Sequence, residues 1–211
     1  NPLITRWIAD PEFARLYLNF LLNLTMGRRW GADGALLDRA LAIVMPLIQG
    51  YRGGDDLHAE QAVGGGSNLV TRLAVTGRCE EAKALVRAVR HAAGRAGASA
   101  SRNFELNYAK VLLNFVDTGT LPGMASAALD GAQALFDLAV TPRLAGDAAM
   151  QLQLVGGLFH ALNVAERSAP DAERRKWKNR LERAIAPVGA DSPPDLRILA
   201  CRALANFIHT N

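Results

Sequence analysis

Helix packed on helix, stacked in repeats of the armadillo or HEAT kind, is the fold class that this sequence predicts, and three observations predict it. Asn23, Asn68, Asn114, Asn163 and Asn206 recur with gaps of 45, 46, 49 and 43 residues. Each is the polar centre of an apolar patch: LLNLT, GSNLV, LLNFV, ALNVA and LANFI. A period of about 40 to 47 residues belongs to arrays in which one helical unit cannot bury its apolar face alone and stacks on its neighbours. The composition agrees, since half the chain is apolar but only 6% aromatic, with many Ala and Leu and few β-branched runs. Glycines and prolines fall where short helical connections need them. The expected form is all-α, a right-handed superhelical solenoid of about five helical repeats, with 1–211 as a single armadillo-like domain.

The elements follow in order. Asp10-Pro11-Glu12 reads as an N-cap, a first-turn proline and a first-turn acid, opening a helix over 10–26 with Phe13, Leu16, Phe20, Leu21 and Leu24 inside. Gly27 and Gly31 end it. A second helix from Gly34 to Ile48 carries Leu37, Leu41, Val44 and Ile48 at helical spacing, with Pro46 bending its last turn. Then come 57–76, 79–96, 101–117, 121–140, 145–166, 171–187 and 193–209, broken at Gly77, Gly97, Gly119, Pro142, Pro170 and Ser192-Pro193-Pro194. Grouped as pairs 34–76, 79–117, 121–166 and 171–209, the chain puts each of the last four asparagines in a second helix. In armadillo logic the second helix lines the concave side and the first faces out.

Composition narrows the function. The longest apolar stretches fall short of the roughly 18 residues a membrane span needs, and the Asn1-Pro2 start reads as part of a larger protein. Cys79 and Cys201 are the only cysteines, too few for a disulfide framework or a zinc site, which points to a reducing cytoplasmic or nuclear setting. His58, His91, His160 and His209 show no metal-ligand spacing. No nucleophile elbow, carboxylate pair or HExxH motif is present, and Gly64-Gly65-Gly66 and Gly156-Gly157 lack the Lys-Ser/Thr ending of a phosphate loop. The sequence therefore predicts no catalysis, no metal and no cofactor, and those glycines read as places of close helix approach.

The asparagine row is the candidate site. An amide offers a donor and an acceptor on one short arm, so it can bond the C=O and N–H of a passing peptide without reading its side chain. Arg72, Lys110, His160, Arg202 and His209 lie about one turn from the asparagines, with Asn19 and Asn107 as further amides, and an acidic or carboxylate-ended peptide suits them. Equally, an asparagine between helices can bond a neighbouring carbonyl and fix the repeat geometry. Cations cluster over Arg78–Arg102 and Arg174–Arg183, in helices read as outward-facing; the commoner meaning of such runs is a solvated face, and nucleic-acid binding is the alternative.

Over 61–207 the chain resembles the PUL domain, the armadillo-like C-terminal module of the phospholipase A2-activating-protein family. The resemblance rests on NYAKVLLNF (107–115), LDGAQALFDL (129–138), QLQLVGGL (151–158) and CRALANFI (201–208). It implies an adaptor in the ubiquitin pathway that holds the acidic tail of valosin-containing protein, an AAA ATPase, in a basic groove. Gln151 stands where the family carries a groove arginine. Two other readings stay open: a structural repeat module of a larger protein with no peptide groove, and a tetratricopeptide start at Gly77–Leu85, for which the 34-residue period is missing.

Overall fold

The computed structural model describes residues 34–209, with side chains to Ala205; the helix expected over 10–26, and Asn23 within it, lie outside the described residues. The described part is helical, in eight α-helices: α1 (Gly34–Gly50), α2 (Leu57–Val75), α3 (Cys79–Ala96), α4 (Arg102–Asp117), α5 (Ala125–Ala139), α6 (Ala148–Ser168), α7 (Asp171–Ile185) and α8 (Pro194–His209). First helices of pairs begin at 34, 79, 125 and 171 and second helices at 57, 102, 148 and 194, so every interval is 45 or 46 residues. That constancy is tighter than the spacing of the asparagines.

Local chemistry sets these boundaries. Asp56 caps α2 by accepting from the amides of His58 and Ala59, and Asp147 caps α6 by accepting from Ala149 and Met150. The acids Glu80 and Glu81 sit in the first turn of α3, and Asp171 and Glu173 in that of α7, against the positive end of the helix dipole. Helix α2 closes in a Schellman turn: Arg78 N–H reaches Leu73 O at 2.8 Å and Gly77 N–H reaches Ala74 O at 3.0 Å, with Gly77 at φ 82°. Helix α1 runs on through Pro46 to Gly50.

The chain divides after Asn114 into two compact units, the division falling in the last turn of α4. In the first unit α2 packs on α1 and on α3, and α1 packs on α3. Arg78 ion-pairs with Asp38 near the start of α1, and Arg95 donates to Gln49 O at 2.9 Å near its end, so α1 and α3 run parallel. A polar knot ties the loop after α1 to the start of α4. Tyr51 stacks on Phe104 at 4.0 Å between centroids, and its hydroxyl donates to Gly54 O and accepts from Ser101 N–H. Ser101 Oγ accepts from Phe104 N–H and hydrogen-bonds the buried Glu60 carboxylate. Burying a carboxylate is costly unless it is hydrogen-bonded, and Ser101 supplies such a bond.

In the second unit α6 packs on α5, α7 and α8. Its core joins Val155, Leu158, Trp177, Leu181, Leu196 and Ala203, all at most 1% exposed. The same contact recurs at the repeat interval. Val44 of α1 meets Gly66 of α2, and Leu135 of α5, 91 positions on, meets Gly157 of α6. Residues in register with them, Val89 with Val111 and Leu181 with Ala203, are also fully buried. A Cβ on Gly157 would collide with the Leu135 side chain, so close approach of helices, the expected role of these glycines, is what the structure shows at this position.

Candidate functional site

Two of the predicted amides are helix bolts. Asn107 Nδ2 donates to Glu60 O at 2.9 Å and Asn114 Nδ2 to Ser67 O at 3.0 Å, both reaching from α4 to α2. Donors and acceptors are each seven residues apart, so the two helices lie parallel in one fixed register. The Asn107 amide packs 3.4 Å from where a Cβ on Gly64 would sit, which is ordinary contact and leaves the helices close. Each such bond nets about 0.5–1.5 kcal/mol.

These bonds do not exhaust the amides. Each keeps its Oδ1 and a second amide hydrogen, and both residues are only half-buried. Lys110 stands exposed between them on the same face of α4, since 107, 110 and 114 fall at i, i+3 and i+7. On α2, half-buried Asn68 follows the Ser67 carbonyl that Asn114 holds, and Arg72 lies one turn further, in the last turn of the helix. No hydrogen bond of the Asn68 amide is found among the described residues. Asn107, Lys110 and Asn114 thus share one face of α4, and Asn68 and Arg72, four residues apart, share one of α2, the helix that the two α4 amides bond.

In the second unit the placement differs. Stepping 46 residues from Asn114 leads to His160, and 46 more to Asn206; Asn163 is three residues out of this register. His160 Nδ1 donates to Asp117 Oδ1 at 2.9 Å, another tie between second helices. That hydrogen bond holds the Asp117 carboxyl below the usual carboxylate range, against an opposing push from burial. Sequence reasoning missed this pair because its members are 43 residues apart; the helix-start interval would have found His160. Asn163 is half-buried on α6, Arg202 is exposed on α8, and the Asn206 side chain lies outside the described residues.

The cation runs fall on α3 and α7, both first helices, apart from Arg102, which opens α4, and many of these charges are engaged. Arg78 pairs with Asp38 and Glu81, Lys83 with Glu80, Arg174 with Asp171, and Lys176 with Glu173. Arg180 lies 4.3 Å over the Phe136 ring and 4.9 Å over Trp177, and donates to Gln133 Oε1 at 2.7 Å. Arg87, Arg90, Arg175 and Arg183 stay exposed, and no ion pair of theirs is found among the described residues. An open cleft of about 450 Å³ between Leu129 and Ala169 carries Asp130 and Glu173, the wrong sign for an acidic ligand. Among the described residues no cluster of three His, Cys, Asp or Glu side chains is arranged to hold a metal, and no helix is long and apolar enough to cross a membrane. No family profile, curated protein or solved structure matches the chain.

Proposed function

We propose that the chain is an armadillo- or HEAT-like solenoid acting as a non-catalytic protein-interaction module, and that its first unit holds an extended acidic peptide on a strip from Asn68 to Asn114. The observation that carries this is the arrangement of α4. Asn107 and Asn114 are fixed in place by their bonds to α2, so their remaining amide hydrogens and oxygens are pre-oriented at one spacing, with an exposed ammonium between them. Pre-oriented groups lose little freedom on binding, which raises the affinity of each modest bond. The 45- or 46-residue interval between helix starts supports the repeat reading.

The PUL resemblance suggests the acidic C-terminal tail of the ubiquitin-pathway AAA ATPase as the first peptide to try. Fluorescence anisotropy of the labelled tail is expected to show micromolar-scale binding, weakened about tenfold or more by Lys110→Glu and by Asn68→Ala, with melting temperatures unchanged. Equal affinity in wild type and both variants would overturn the reading.

A second reading has its own support. Because the Asn107 and Asn114 donors hold α2 and α4 together, the asparagines serve a purely structural repeat module equally well. The anisotropy titration separates the two, since a structural module binds no peptide.

A further inference from the structure

Arg52 and Arg95 converge on one atom. Arg52 Nη1 donates to Gln49 O at 2.8 Å and Arg95 Nη2 to the same oxygen at 2.9 Å, so two guanidinium groups meet at the last turn of α1. The backbone arranges this. Gly54 N–H donates to Ser99 O at 2.6 Å, which lays the loop after α1 against the end of α3. One donor is enough to satisfy the Gln49 carbonyl, and the negative end of α1 offsets about half an elementary charge. More than one positive charge is left over at this point. Both arginines are exposed, and no ion pair of theirs is found among the described residues.

The excess continues along α3. Arg87, Arg90, His91 and Arg95 are all exposed, and at 100° per residue they fall within an arc of about 140°. The sequence has no Asp or Glu from Arg39 to Gly54 or from Ala82 to Phe104. Glu80 and Glu81, at the start of α3, are taken by Lys83 and Arg78. Beyond Arg52 come exposed Asp55 and then Asp56, which caps α2. Helix α7 differs, because exposed Glu182 stands next to Arg183 there.

The chemistry of this face selects its anion. The planar fork of arginine suits phosphate oxygens, and a guanidinium stays charged. None of the exposed large apolar side chains lies on α3, whereas a protein partner seats apolar or aromatic anchors in its interface. The aromatic rings nearest this face in sequence, Tyr51, Phe104 and Tyr108, are buried, which removes the stacking that a single strand uses. What remains is contact with phosphates without reading bases. We propose that Arg52, Arg87, Arg90 and Arg95 form a contact surface for the phosphate backbone of a nucleic-acid duplex, anchored at the Arg52–Arg95 pair. It lies on α3 and the loop after α1, and it does not depend on the peptide strip of α2 and α4.

The test is fluorescence anisotropy of the full chain with a labelled DNA duplex and an RNA duplex of the same sequence, between about 50 and 200 mM salt. Four phosphate contacts on DNA give a slope of log affinity against log salt of about −3.6. Arg52→Gln with Arg95→Gln, and Arg87→Gln with Arg90→Gln, are each expected to reduce that slope by about half, while the charge-matched Arg175→Gln with Arg183→Gln leaves it unchanged. No hydrogen bond of Arg87 or Arg90 is found among the described residues, so that pair reads contact even where loss of the Gln49 bonds loosens α1. Absence of binding to both duplexes at the lowest salt overturns the proposal. An equal loss in the α7 pair overturns it too, since net charge and not this face is then the cause. Tighter binding of a single strand or of polyglutamate than of either duplex also contradicts it.

Discussion

The side-chain amide of Asn114 donates to the main-chain carbonyl of Ser67 at 3.0 Å, tying α4 to α2 across 47 residues of sequence. Asn107 makes the same connection to Glu60 over the same separation. Asn114→Ala removes a donor but leaves Ser67 O able to accept from its own helix, so the expected cost is about 0.5–1.5 kcal/mol. Asn114→Asp sets a carboxylate against that carbonyl and is expected to cost more than the alanine. Urea unfolding midpoints at constant slope check the order.

Glycine substitutions give opposite signs at two helical sites. Gly94 in α3 has open space around its Cβ position, so Gly94→Ala is expected to stabilise by about 1 kcal/mol through helix propensity. Gly157→Ala drives a methyl into Leu135, which is 1% exposed and has little room to give. Overpacking of about 1–3 kcal/mol then outweighs the propensity gain. Thermal melts of the two variants are expected to move in opposite directions.

Acid should loosen the Asp117–His160 tie. The folded-state pKa of Asp117 is depressed, so its contribution is present above the ordinary carboxylate value of about 4 and is lost as pH falls through the lower folded value. Asp117 is partly exposed, which keeps the effect modest. Asp117→Asn is expected to flatten the stability profile below about pH 4, read as melting temperature against pH; an identical slope would remove the pair from the account.

Alkali acts at Tyr108. Burial pushes its phenol up to about 12, with Arg90 pulling weakly the other way. The unfolded chain releases this proton near pH 10, so the contribution is complete below that and is lost as pH rises towards 12. Spectrophotometric titration should show a tyrosine step near pH 12 that Tyr108→Phe removes.

Much of the helical architecture was legible because its punctuation is local. Asp56, Gly77, Asp147 and Pro170 each act within a turn or two, and the helix bounds follow them to within a few residues. The asparagine period was legible too, and it placed Asn68, Asn114, Asn163 and Asn206 in second helices. It could not give their phase. A helix turns about 100° per residue, so a slip of three residues rotates a side chain by about 300°, and Asn163 is that far from the position His160 occupies. Which carbonyl an amide meets, as with Asn114 and Ser67, depends on the offset between stacked helices, and no single helix encodes that.

The most direct test of the peptide strip is an NMR titration of the asparagine side-chain amides with the acidic C-terminal peptide. The account predicts that the Asn68, Asn107 and Asn114 amide signals shift together and saturate with the anisotropy curve, while Asn163 stays still. Shifts confined to α8, or no shift at these three amides at saturating peptide, would contradict it.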